Sequence, residues 1–105
     1  MPRVVMRLYV AGDAPNSVAA RANLDRLLAE VRPPDYSLDV VDCLHEPLRT
    51  LQDGVLLTPT LLRLEPEPVR TIIGTLGDRR AVAEALGFAS GEDTSQARTS
   101  ADGSR

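Results

Sequence analysis

The spacing of apolar positions changes along the chain, and each change predicts a new element. Val4 to Val10 is nearly continuous in apolar residues, the pattern of a strand covered on both faces. Ala11-Gly12-Asp13-Ala14-Pro15-Asn16-Ser17 breaks that run and offers Asn16 or Ser17 as the cap of a helix. Ala20, Leu24, Leu27, Leu28 and Val31 then recur at i, i+4, i+7, i+8 and i+11, one face of a helix. Arg21 with Asp25, and Arg26 with Glu30, are placed to pair at i, i+4 on its outer side. Pro33-Pro34 ends it. Ser37 to Asp42 reads as a second strand, and the three pieces assemble most simply as a right-handed strand–helix–strand unit.

Further along, Glu46 to Asp53 predicts a short, weak helix with Pro47 in its first turn and Gly54 as its stop. At that length it must be held by Leu48 and Leu51, on the core or on a partner, and Leu48 is expected to stay exposed. Leu61, Leu62 and Leu64 form one strand and Val69, Ile72 and Ile73 another, reversed through Glu65-Pro66-Glu67-Pro68. The last helix runs from Asp78, its cap, to Leu86, with Val82, Ala85 and Leu86 inward and Gly87 closing it. From Ser90 onward no large apolar residue occurs, which predicts a domain at 1–89 and a disordered tail at 90–105. The predicted order is βαβαββα, an α/β fold.

Composition narrows the function classes. At 105 residues and 43% hydrophobic content the chain is expected to fold as one soluble domain, and with 3% aromatics its core must be aliphatic. A net charge of −3 with both signs interspersed gives no electrostatic case for nucleic acid or an anionic membrane. A single cysteine, Cys43, excludes an intramolecular disulfide and any multi-cysteine metal site, and a reducing cytoplasmic setting is expected. Cys43 reads as a small buried hydrophobe at a strand end and His45 as an exposed or capping residue; with no second histidine, no metal is expected, nor any cofactor. Asp39 and Asp42 read as a solvated edge, while Arg70, between Val69 and Ile72, suits a functional role as well as a surface one.

Thr58-Pro59-Thr60 leading into a hairpin is similar to the thioredoxin-like fold, whose proline there is usually cis. The predicted element order is also that of thioredoxin-like domains. Thioredoxin chemistry needs a C-x-x-C between the first strand and first helix, where this chain has Ala14-Pro15-Asn16-Ser17. A thiol-dependent enzyme therefore lacks its nucleophile.

A narrower resemblance rests on RLYVAGDAPNS at 7–17, LDVVDCLHEP at 38–47, LLTPTLLRL at 56–64 and PVRTIIGTLGDR at 68–79. These motifs, in order over residues 4–88, resemble the KaiB family of circadian-clock proteins. The resemblance implies a non-enzymatic adaptor that binds the hexameric KaiC-type ATPase and modulates its phosphorylation or ATPase cycle. It implies a docking surface around the second helix, at Pro47, Leu48, Arg49, Gln52, Asp53 and Thr58. It also implies a second arrangement, βαββααβ, dimeric or tetrameric, beside a monomeric thioredoxin-like state. Ala85 stands where switching members tend to have glycine, and with Gly87 it is expected to control the fold state. Alanine at 81, 83 and 85 favours the helical form; Ala85 over glycine adds about 1 kcal/mol. Leu48-Arg49-Thr50-Leu51-Gln52 and Asp39 depart from the acidic and lysine residues many members carry there, so a system with a KaiC-like ATPase and no KaiA-like partner fits better. A related thioredoxin-like domain belongs to a clock histidine kinase, and a signalling partner of that kind is the alternative.

Overall fold

In the computed structural model, which describes residues 3–88, the order is β1 (Val4–Val10), α1 (Pro15–Val31), β2 (Tyr36–Asp42), α2 (Pro47–Gln52), β3 (Thr60–Glu65), β4 (Arg70–Ile73) and α3 (Arg79–Leu86). This is the predicted βαβαββα order. The segment read as a tail lies outside the described residues. The sheet runs β2-β1-β3-β4, with β1 parallel to β2 and antiparallel to β3, and β3 antiparallel to β4. β1 and β3 are central, which is why their runs are the most apolar. Thr58–Pro59 is cis, as the Thr-Pro-Thr motif suggested; Glu65–Pro66 and Glu67–Pro68 are cis as well.

Strand alternation sorts the core into two layers. Val4, Met6, Leu8 and Val10 of β1 and Leu61 of β3 face α1 and α3, and meet Ala20, Leu24, Leu27, Leu28, Val82, Ala83 and Leu86. Tyr9, Val41 and Leu62 face the other way, toward α2, joined by Val55 and by half-buried Cys43 and Leu64. The first layer is thick and the second thin. Each leucine that α1 buries contributes about 1.5–3 kcal/mol, so the α1 side carries most of the stability.

Several local expectations are corrected. α1 starts two or three residues earlier than a cap at Asn16 or Ser17 implied: Ala14 is the N-cap, without a side-chain bond, and Pro15 opens the helix. Ser17 is instead buried inside the first turn, where its Oγ accepts from Ala11 N–H at 3.0 Å. Arg26 donates to Asn23 rather than to Glu30, and Glu30 is taken by Arg79 across to α3, at 2.5 Å. That pair relieves the unfavourable placement of Arg79 at a helix N-terminus. On α3 it is Ala83, not Ala85, that is fully buried, while the Asp78 cap (Ala81 N–H at 3.1 Å) and the left-handed Gly87 end (φ 82°) are as expected. β4 begins at Arg70, leaving Val69 exposed in the turn.

One buried charge was not anticipated. Arg63 lies in β3 on the α1–α3 side, 7% exposed, and donates to Ala85 O at 2.9 Å and Pro68 O at 2.7 Å. It ties the last turn of α3 to the β3–β4 reversal.

Candidate partner-docking surface

α2 is six residues long, too short to persist by its own hydrogen bonds. Leu48 is exposed as expected, 73%, but Leu51 is exposed as well, so neither leucine holds the helix on the core; Thr50 is the one buried residue of the helix. Thr50 Oγ1 donates to Glu46 O at 2.9 Å, and the Thr50 carbonyl accepts from the N–H of buried Val55 at 3.1 Å. One threonine and one buried valine thus secure the two ends of the helix.

The rest of the fastening is ionic. Asp53, just past α2, accepts from the hydroxyl of fully buried Tyr9 and from Arg7 Nη1, the latter at 2.7 Å. Arg7 Nε lies 3.4 Å from Asp39 Oδ2 on the neighbouring strand. Asp39 also receives Arg49 Nη2, and Arg49 Nη1 is 3.4 Å from Glu46 Oε1. The register Arg7↔Asp39 explains the first link: both point to the α2 side from adjacent parallel strands. Glu46, Arg49, Asp39, Arg7 and Asp53 form a continuous chain between helix and sheet.

The charges on this surface answer to one another. The Tyr9 hydrogen bond, and then Arg7, hold the Asp53 carboxyl below its ordinary range against the opposing effect of burial. Burial, and then the Asp53 hydrogen bond, push the Tyr9 phenol up. Burial works against the Arg7 charge, but its bonds to Asp53 and Tyr9 outweigh it and raise it. Asp39 raises Arg49 in the same way. Asp42, expected as a solvated edge, accepts instead from Leu44 N–H at 2.9 Å and Gly12 N–H at 3.1 Å, which depresses it. His45 is exposed, 3.6 Å from Asp42. Among the described residues no group of three or more His, Cys, Asp or Glu could hold a metal, and no helix is long and apolar enough to cross a membrane.

A depressed carboxyl stabilises the folded state above the pKa of the unfolded chain, about 3.9 for Asp, and the benefit disappears as pH falls through the folded value. Asp53→Asn is therefore expected to lower the thermal midpoint at pH 7 and to converge on the parent as pH falls below about 4. Melting curves across pH 3–7 test this; parallel curves would remove Asp53 from the acid response.

Around α2 the apolar residues turn outward. Leu44, Leu48, Leu51, Leu56 (87% exposed) and Leu57 all lie exposed on the segment that carries the helix. Beside them is a groove of about 210 Å³ lined by Asp53, Val55, Leu56, Leu57, Leu62 and Ile73, among others. Of the residues read as partner-binding, Pro47, Leu48, Gln52 and Thr58 are exposed on this segment. Asp53 is exposed and Arg49 half-buried, and both take part in the ion chain between helix and sheet. Arg70 is exposed but pairs with Arg63 across β3–β4, on the α1–α3 side, and does not join this surface. Pro59 is buried beneath it. The sequence reading missed Leu44, Leu56 and Leu57; their one signal was apolar residues in turns, outside any periodic element.

A scan against family models matches residues 7–88 to the KaiB domain. The circadian clock oscillator protein KaiB of Microcystis aeruginosa is 47% identical over 78 residues, covering 74% of this chain and 75% of that protein. KaiB of Nostoc punctiforme is 46% identical over 78 residues, covering 74% and 75%. Among solved structures, the N-terminal domain of Synechococcus elongatus SasA superposes with a TM-score of 0.68 at 21% identity, covering 89% of this chain and 91% of that one. Mitochondrial thioredoxin 3 from Saccharomyces cerevisiae gives 0.67 at 16%, covering 82% and 78%. The last two show a thioredoxin-like fold. The family match runs from the middle of β1 through all three helices and the whole α2 surface, and the chain belongs to the KaiB family.

Proposed function

We propose that this protein is a non-enzymatic clock or timer adaptor that docks through α2 and its flanking loops onto a KaiC-type hexameric ATPase and modulates its phosphorylation or ATPase cycle. The observation that carries this reading is the set of outward leucines held on a helix that the protein fastens by other means. A folded domain rarely leaves such a set uncovered, and exposed apolar patches mark interaction sites. The relatives named as clock oscillator proteins supply the partner class. At the position where thioredoxins carry their thiols the chain has Ala14-Pro15-Asn16-Ser17, which fits binding rather than redox chemistry. The thioredoxin-like state is the docking state and is monomeric; the βαββααβ arrangement is the alternative state, a dimer or tetramer.

The test is a pull-down of the host's KaiC-type ATPase by the full chain, with ATP and with ADP. Leu48→Ala is expected to weaken that binding by about 1–3 kcal/mol while changing the stability of the isolated domain by less than about 1 kcal/mol. Equal binding by the variant moves the surface away from α2. Capture of a histidine kinase instead of the ring assigns the surface to a different signalling partner.

A further inference from the structure

The groove beside α2 opens onto the β4 edge of the sheet, which no strand among the described residues covers, and the two features fit one occupant. β4 is an edge strand. The Gly74 N–H to Pro59 O bond, 3.0 Å, fixes the alternation of its antiparallel ladder with β3. Counting back from Gly74, Ile72 and Arg70 turn their backbone groups inward to β3. Thr71 and Ile73 turn theirs outward, to solvent. The side chains of these same two residues line the groove, with Ile73 59% exposed. A strand laid against β4 would therefore pair with Thr71 and Ile73, and its residues opposite them would project onto the groove side of the sheet.

Size and charge define that side chain. The groove is about 210 Å³, and an apolar cavity of about 150 Å³ already accommodates benzene. Its single charged lining residue, Asp53, is taken by Arg7 and Tyr9. The other walls are Val55, Leu56, Leu57, Leu62 and Ile73, continuous with the exposed leucines around α2, with Gly54 and the uncharged Thr60 and Thr71 completing the lining.

We propose that the β4 edge and this groove together take an extended, uncharged segment of the ATPase partner as an added strand, anchored by one leucine- or phenylalanine-sized side chain. The inference rests on the docking reading above and specifies how that surface is engaged. Main-chain pairing supplies affinity in such complexes and the pocket supplies specificity.

Two substitutions at exposed Thr71 test it, measured as affinity of the full chain for the host's KaiC-type ring. Thr71→Phe suits a strand and fills the groove from inside, so at least about tenfold weaker binding is expected with the melting temperature retained. Thr71→Pro removes an outward N–H that β3 does not use, a position where edge strands tolerate proline, and about two- to tenfold weaker binding is expected. If Thr71→Pro fails to fold, Thr71→Phe decides. Parent-level binding by folded Thr71→Phe overturns the groove and leaves the docking reading standing. Parent-level binding by folded Thr71→Pro overturns the added strand. Absence of binding by the parent overturns the inference and the docking reading together.

Discussion

Leu27→Ala is expected to destabilise the isolated domain by about 2–5 kcal/mol. Leu27 is 3% exposed in the thick layer between α1, β1 and α3. It also borders a small, partly open pocket of about 50 Å³ between α1 and α3, lined by Leu76 and Val82 and rimmed by Arg26, Glu30 and Arg79. A truncation there enlarges an existing gap, and the walls are poorly placed to close it. Leu76 holds a positive φ of 62°, uncommon for a bulky residue, and Asn23 Nδ2 anchors the adjacent Thr75 carbonyl at 2.9 Å. A segment so constrained will not slide inward to fill space. Domains of this size have about 5–15 kcal/mol in all, so the loss is a large fraction. Urea unfolding with an unchanged m-value measures it. A loss below about 1 kcal/mol would mean that the α1–α3 layer relaxes freely. Ring binding by folded Leu27→Ala should match the parent, because Leu27 and the docking surface lie on opposite faces of the sheet.

The contrast between Leu27 and Leu48 was partly legible beforehand. Leu27 belongs to a run with helical period over seventeen residues, where periodicity separates the two faces without ambiguity. α2 spans under two turns, so no period can develop, and Leu51 reads as an inward residue when it is not. Besides Thr50 and Val55, what fastens α2 is the set Tyr9, Arg7, Asp39, Glu46, Arg49 and Asp53. The Arg7–Asp53 bond joins residues 46 positions apart, and no local pattern announces it. Each of these charges, taken singly, reads as solvated surface. Ala81, Ala83 and Ala85 are a similar case: identical residues at alternate positions carry no directional signal, and only the packed layer selects Ala83. The element order and the central strands were legible because parallel and buried strands leave runs such as Val4 to Val10. The Glu65–Pro66 and Glu67–Pro68 bonds were not, because a proline letter does not state its isomer.

Arg63 and Arg70 face each other across β3 and β4 as the same residue type, yet one is buried and the other exposed. The difference lies in what each can reach. Arg63 spans from the β3–β4 reversal to the last turn of α3, giving Pro68 O and Ala85 O a charged donor. Carbonyls near a helix C-terminus carry partial negative charge, so the guanidinium sits where the helix dipole favours a cation. No carboxylate is needed. Arg63→Ala is expected to cost about 2–4 kcal/mol, by leaving both carbonyls without this donor and opening space beneath α3. Arg63→Met should recover the packing part and not the hydrogen-bonded part, leaving about 1–3 kcal/mol of loss. Arg63→Lys should resemble the methionine variant more than the parent, because a single ammonium lacks the fork that serves two acceptors at once. Hydrogen exchange adds a readout that general destabilisation would not give. The amides of Gly87 and Phe88, which bond back to Glu84 and Ala83 at the end of α3, should lose protection before those of α1. Uniform loss across α1 and α3 would show that Arg63 acts on the core as a whole and not as the tie between the hairpin and the last helix.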